Sequence, residues 1–213
     1  MTQKKAAEYS PLEEKWNIYT HGFGFVVSLV GLAFLSFRES ITTTYTISAI
    51  VFGLSLCILY AASTIYHSAT SPVRRMRLQI FDHAAIYILI AGTYTPFTLV
   101  TLQGDTGTLI FCIAWGIALF GVILKLFFTG RFDILSTILY VGMGWLIVFA
   151  YTPLVNNLHP TGVQWLFGGG IAYTVGAILY SIKKIPFNHA IFHVFVLIGS
   201  FCHFMSIYLY VGK

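Results

Sequence analysis

Long unbroken runs of apolar residues, separated by short polar connections, fill the chain from end to end, and their length decides what they form. A helix rises about 1.5 Å per residue and needs roughly 17 to 25 apolar residues to cross the hydrocarbon core of a bilayer. Runs of that length predict seven spanning helices at about 18–37, 44–67, 79–101, 107–128, 132–151, 162–182 and 188–210. A membrane barrel would show short segments alternating apolar and polar positions instead, because its strands face lipid and lumen in turn. Backbone groups in lipid must be satisfied by one of these two architectures, and continuous runs select the helical one. The expected fold class is therefore an all-α integral membrane protein. The connections leave no room for a second folded unit, so residues 1–213 are expected to form a single seven-helix transmembrane domain.

Composition agrees with that solvent. Hydrophobic residues make up 57% and charged residues 9% of the chain, with a mean hydropathy of +0.81, whereas about a quarter of an ordinary soluble domain is charged. Most of the charge sits at one set of connections. Lys4, Lys5 and Lys15 precede the first span, and Arg74, Arg75 and Arg77 lie between the second and third. Lys125 and Arg131 flank the fourth connection, and Lys183 and Lys184 precede the seventh span. The opposite side receives Arg38, beside Glu39, and Lys213. The positive-inside rule then predicts a cytoplasmic N-terminus and an external C-terminus, in a multi-pass protein of the inner (plasma) membrane. A formal charge of +5 spread over short membrane-surface loops argues against nucleic acid as a partner.

Glu13 and Glu14 precede a first span too long for a signal-peptide core, and no small-residue cleavage site follows, so that span is expected to be retained. Cys57, Cys112 and Cys202 lie within spans without Cys-x-x-Cys spacing and read as packing residues. The run Gly168, Gly169, Gly170 predicts close helix approach.

Four side chains depart from this apolar pattern together. His67, Asp82, His189 and His193 fall in the first or last turns of the second, third and seventh spans, all at the same side of the membrane. Ionisable groups at that depth are costly and mark function by default. Ser63 and His67 are four apart and share a helix face, as do His189 and His193, and an i, i+4 histidine pair is a recurrent metal grip. Three neutral imidazoles leave one position open on Zn2+, where water can be acidified to a pKa near 7. Asp82 is then the candidate general base, while Ser63 holds the site or polarises a substrate carbonyl. Ligand type alone also admits iron or another divalent ion that accepts imidazole.

The remaining histidines read differently. His203, ten residues beyond His193, lies about 15 Å deeper and reads as a hydrogen-bonded core or pathway residue. His83 points about 100° away from Asp82 around the helix, and His159 sits in the outer loop. His21, near Glu14 and Asn17, suits either a supporting layer behind the ligands or a hydrogen bond at the helix start.

Several stretches together resemble a known family. They are Glu13 to Gly24, the Ser63 to His67 turn, Asp82-His83-Ala84-Ala85-Ile86-Tyr87 continuing to Gly92-Thr93-Tyr94-Thr95-Pro96, and His189-x-x-x-His193 ending at His203. In this order they are similar to the bacterial hemolysin III branch of the progestin and adipoQ receptor superfamily, over nearly the whole chain. The resemblance implies seven helices, a cytoplasmic N-terminus, and zinc held by His67, His189 and His193 with Asp82 and Ser63 beside it. The wider superfamily contains alkaline ceramidases and receptors associated with ceramide hydrolysis. It thus implies a zinc-dependent lipid amide or ester hydrolase of membrane lipid homeostasis, with membrane lipids as partners and a ceramide-like or acyl-lipid substrate.

Two other readings stay open: a non-catalytic sensor of membrane state with structural zinc, and a pore-forming hemolysin. The pore ranks last, since it needs a polar stripe along the height of a helix and the outer parts of these spans are mainly apolar. No lysine lies in the seventh span to form a retinal Schiff base.

Overall fold

The computed structural model describes residues 9–39, 42–128 and 133–213. They form α1 (Pro11–Phe37), α2 (Thr43–Ser68), α3 (Pro72–Pro96) extended by a π-helical turn (Phe97–Leu102), and α4 (Gly104–Phe128). There follow α5 (Asp133–Gly144), a 3-10 turn (Leu146–Ala150), α6 (Tyr151–Asn157), α7 (Pro160–Ser181) and α8 (Asn188–Tyr210). Among the described residues there is no strand, and seven stretches are long and apolar enough to cross a membrane, α5 and α6 sharing one of them. The protein is a multi-pass membrane protein. α1 packs on α2, α2 on α3 and α3 on α4, while α7 pairs with α8 and α8 returns to α1.

The distribution of side chains is that of a bundle in lipid. Phe23, Phe37, Leu119, Phe127 and Phe149 are exposed, whereas Asn17, Ser28, Ser48, Ser55 and Thr98 are buried. Without a hydrophobic difference between lipid and protein, helices associate through small residues and polar contacts. A Cβ on Gly169 would run into the His203 ring, and one on Gly199 would lie 2.9 Å from the Tyr173 ring, so α7 and α8 approach at backbone distance. Of the three consecutive glycines, Gly169 makes this contact, and a Cβ on Gly168 would meet nothing. Cys57 is buried, Cys112 faces outward, and both are free thiols, as is Cys202.

The chain's own signals set where the helices begin. Ser10 Oγ accepts from the Glu13 N–H at 3.2 Å, Pro11 opens α1, and Glu13 and Glu14 lie in its first turn, a capped start that also favours negative charge. α1 therefore begins at 11 and not at about 18, which puts Glu14 and Asn17 on the helix. α3 likewise begins at Pro72, so Arg74, Arg75 and Arg77 occupy its first turns instead of a connection. Lys125 also differs from expectation. It is 4% exposed inside α4, its Nζ 2.6 Å from Ser136 Oγ, and is not a loop charge. Lys4, Lys5, Arg131 and the expected start of the fifth span at 132 lie outside the described residues.

Two spans are interrupted, and at the second a side chain takes up the freed backbone groups. Pro96 removes an N–H and crowds the preceding turn; the helix widens into the π turn that follows, and Thr98 Oγ1 donates to the Tyr94 carbonyl at 2.8 Å. Where α5 ends, Tyr94 Oη donates to the Gly144 carbonyl and accepts from the Ile147 N–H, both at 2.9 Å. Broken helix is tolerated at membrane depth when buried groups take up the freed backbone atoms in this way.

Candidate metal centre

The end of α2 and the start of α8 bring three imidazoles to one point. His67 Nε2 lies 3.1 Å from His189 Nε2, which lies 3.0 Å from His193 Nε2. The three candidate ligand atoms are all within 4.8 Å of one another, and the three residues are buried. Four nitrogens arranged tetrahedrally around zinc, each at about 2.0 to 2.1 Å, would be about 3.4 Å apart. α8 can deliver two of the three because His189 and His193 are one turn apart on one face. The helix itself starts abruptly, after Phe187 in a left-handed conformation at φ 58°, a backbone state that non-glycine residues seldom adopt.

The tautomers follow from what lies behind each ring. His67 Nδ1 is 2.7 Å from Glu14 Oε2; a carboxylate only accepts, so Nδ1 holds the proton and Nε2 presents a lone pair. His193 Nδ1 is 3.3 Å from Thr20 Oγ1, whose hydroxyl already donates to the Trp16 carbonyl at 2.7 Å. That leaves the Thr20 oxygen to accept from Nδ1, and His193 Nε2 also presents a lone pair. A proton on His189 Nε2 can satisfy one of these two neighbours and not both. His189 Nδ1 has no hydrogen-bond partner among the described residues. Converging imidazole lone pairs, with an occupied outer nitrogen on two of three rings, form a donor set that could hold a divalent metal ion. The residues fit zinc.

Further residues fix the rings in place. Glu14 also accepts from the Arg75 guanidinium, which sits 4.7 Å from the centre of the Tyr66 ring. Asn17 Nδ2 lies 3.5 Å from Glu14 Oε2 and 3.4 Å from His67 Nδ1. His21 stacks on His193 with centroids 3.5 Å apart and planes 7° from parallel; it sets the plane of that ring and does not join the cluster. Tyr9 stacks on His189 at 4.7 Å from the side where the chain begins. Burial pushes the Tyr9 phenol above its usual range, so this cover stays uncharged.

Asp82 and Ser63 occupy the neighbourhood without joining the triad. Both are buried, and both line a cavity of about 170 Å³ that His189 and His193 also border. Ser63 Oγ has no hydrogen-bond partner among the described residues, and the Asp82 carboxylate is 4.0 Å from His83 Nε2. From this end the cavity runs between apolar walls including Leu59, Ile86, Phe97 and Val196, as far as His203. His203 Nε2 lies 3.1 Å from the Leu166 carbonyl, apart from the ligands as its position in the sequence predicts. His159 caps α7 and stacks on Tyr210.

Glu14, Thr20, Tyr9 and Arg75 were not singled out by the sequence. The signal for two of them was present: Ser10-Pro11 starts a helix, and from that start Glu14, Asn17 and His21 recur at three and four residues on one face, with Thr20 three residues after Asn17.

A family model described as Haemolysin-III related matches residues 9–204. The Hemolysin-3 homolog of Bacillus subtilis (strain 168) is 46% identical over 203 residues, covering 94% of this chain and 95% of its own. Hemolysin-3 of Bacillus cereus is 45% identical over 201 residues, covering 93% and 92%. The human Monocyte to macrophage differentiation factor is 29% identical over 208 residues, covering 94% and 85%.

Proposed function

The chain belongs to the haemolysin-III-related family of membrane proteins, and from that premise we propose that it is an inner-membrane, zinc-dependent hydrolase of lipid amides or esters that maintains membrane lipid state. The observation that carries this reading is the convergence of His67, His189 and His193 beside a cavity with mostly apolar walls, at the membrane end where α2 finishes and α8 begins. That depth suits a bond between a head group and acyl chains that stay in the bilayer.

His67, His189 and His193 would hold the metal, with Glu14 and Thr20 fixing the outer nitrogens of two of them. When bound, zinc acidifies water in its open position and polarises a carbonyl. The chain's own groups supply the rest. Asp82 accepts the proton of the attacking water and returns it to the leaving amine or alkoxide. Ser63, buried with its hydroxyl uncommitted, donates to the substrate carbonyl and orients it. Tyr9 packs over the His189 and His67 rings, and the substrate chains lie along the apolar cavity. The loop charges support a cytoplasmic position for this end.

A second reading, structural zinc in a sensor of membrane state, is favoured by one observation: the triad ties α2 to α8 and, through Glu14, to α1. Asp82→Asn separates the two. As a hydrolase, the variant keeps its metal and thermal stability and loses turnover of acyl lipids at least about hundredfold, the scale of a general base. Unchanged lipid turnover in this variant, or no turnover by wild type on ceramide and glycerolipid panels, would leave the structural role.

A further inference from the structure

His203, on α8, borders the far end of the cavity and is 7% exposed. A Cβ on Gly169 would run into its Cδ2 and Nε2 atoms, and Nε2 lies 3.1 Å from the Leu166 carbonyl, so that edge of the ring is pressed against α7. A carbonyl only accepts, which puts the ring's proton on Nε2 and leaves a lone pair on Nδ1 at the opposite edge. Nδ1 is buried and has no hydrogen-bond partner among the described residues. Polar groups of the cavity wall around it are paired. Tyr173 Oη, on a ring centred 5.3 Å from that of His203, is 2.8 Å from Ser200 Oγ, and Trp145 Nε1 donates to Thr174 Oγ1 at 3.0 Å.

Buried polar atoms are almost always paired, so an open lone pair at a cavity wall calls for a donor on whatever fills the cavity. The apolar walls select hydrocarbon, and the donor that hydrocarbon chains carry is a hydroxyl. Its position follows from the helix. His203 is ten residues beyond His193, about 15 Å along α8, so a hydroxyl that meets it stands well down the chain from a bond held at the triad and is no part of a head group. We propose that His203 Nδ1 accepts a hydrogen bond from a hydroxyl carried partway along an acyl chain, and that the cavity thereby selects hydroxylated acyl lipids. This rests on the reading of the cavity as a lipid site and narrows it from acyl lipids in general to those hydroxylated at that depth. His203 acts on the choice and register of the chain, and the chemistry stays at the triad.

The test is equilibrium binding of ricinoleate and oleate, which differ by a single mid-chain hydroxyl, to the purified full chain in neutral detergent. Wild type is expected to bind ricinoleate at least about tenfold more tightly, the scale of a hydrogen bond to a buried group that otherwise lacks one. A hydroxyl beside the head group, in α-hydroxypalmitate against palmitate, should bring no such preference. His203→Phe keeps a ring beside Gly169 and removes the acceptor; it should bind ricinoleate and oleate equally, with oleate as in wild type. Equal binding of these two by wild type, or a preference that survives His203→Phe, overturns the assignment and leaves the lipid cavity standing, with Nδ1 serving only a water molecule. Failure of all four acids to bind removes both. If His203→Phe does not fold, wild type decides: the assignment requires the preference for the mid-chain hydroxyl, and an equal preference for the α-hydroxyl overturns it.

Discussion

At the scale of single residues, Glu14 controls more chemistry than its position suggests. Its carboxylate receives the Nδ1 proton of His67 and the Arg75 guanidinium together, so it fixes the tautomer that lets His67 act as a ligand. Losing such a partner behind a metal ligand typically weakens affinity about tenfold to hundredfold. Glu14→Gln is expected to do so in a competition titration with a zinc chelator, and an unchanged dissociation constant would show that the contact is incidental. The convergence of His67, His189 and His193 was legible from spacing and depth, because an i, i+4 pair and a third histidine fall at matching span ends. Glu14 was not, because reading the first span from its apolar run discards the polar first turn that the Ser10-Pro11 cap makes helical. Lys125 was misread for the opposite reason: a lysine near a span end looks like a loop charge unless the fold turns it inward.

At the scale of the elements, the pattern of apolar runs was enough to place seven spans, and it failed where a span is interrupted. The fifth comprises α5, a 3-10 turn and α6, and the third passes through Pro96. An apolar run has the same composition whether its helix is regular or broken, so the repair is visible only in three dimensions. Tyr94 makes that repair, with one hydroxyl serving both the Gly144 carbonyl and the Ile147 N–H. Tyr94→Phe strands both groups in a buried setting. A loss of about 1 to 3 kcal/mol is expected, read as a lower midpoint in thermal unfolding in detergent; an unaltered midpoint would mean that neighbouring groups satisfy the break unaided.

At the scale of the whole molecule, the bundle closes through α8, which packs on both α7 and α1, and the triad lies where α2 meets that closing helix. Metal held there links elements from both ends of the chain, so its binding energy adds to the stability of the folded state. Chelation is therefore expected to lower the thermal midpoint of wild type and to leave His189→Ala unaffected. The most direct test of the metal centre is the metal content of purified wild type beside His67→Ala, His189→Ala and His193→Ala, normalised to folded protein. The geometry predicts about one zinc per chain, the complement of a three-histidine site, and its loss in each variant. A folded wild type without bound metal, or variants that retain it, would contradict the assignment of these three histidines as a metal centre.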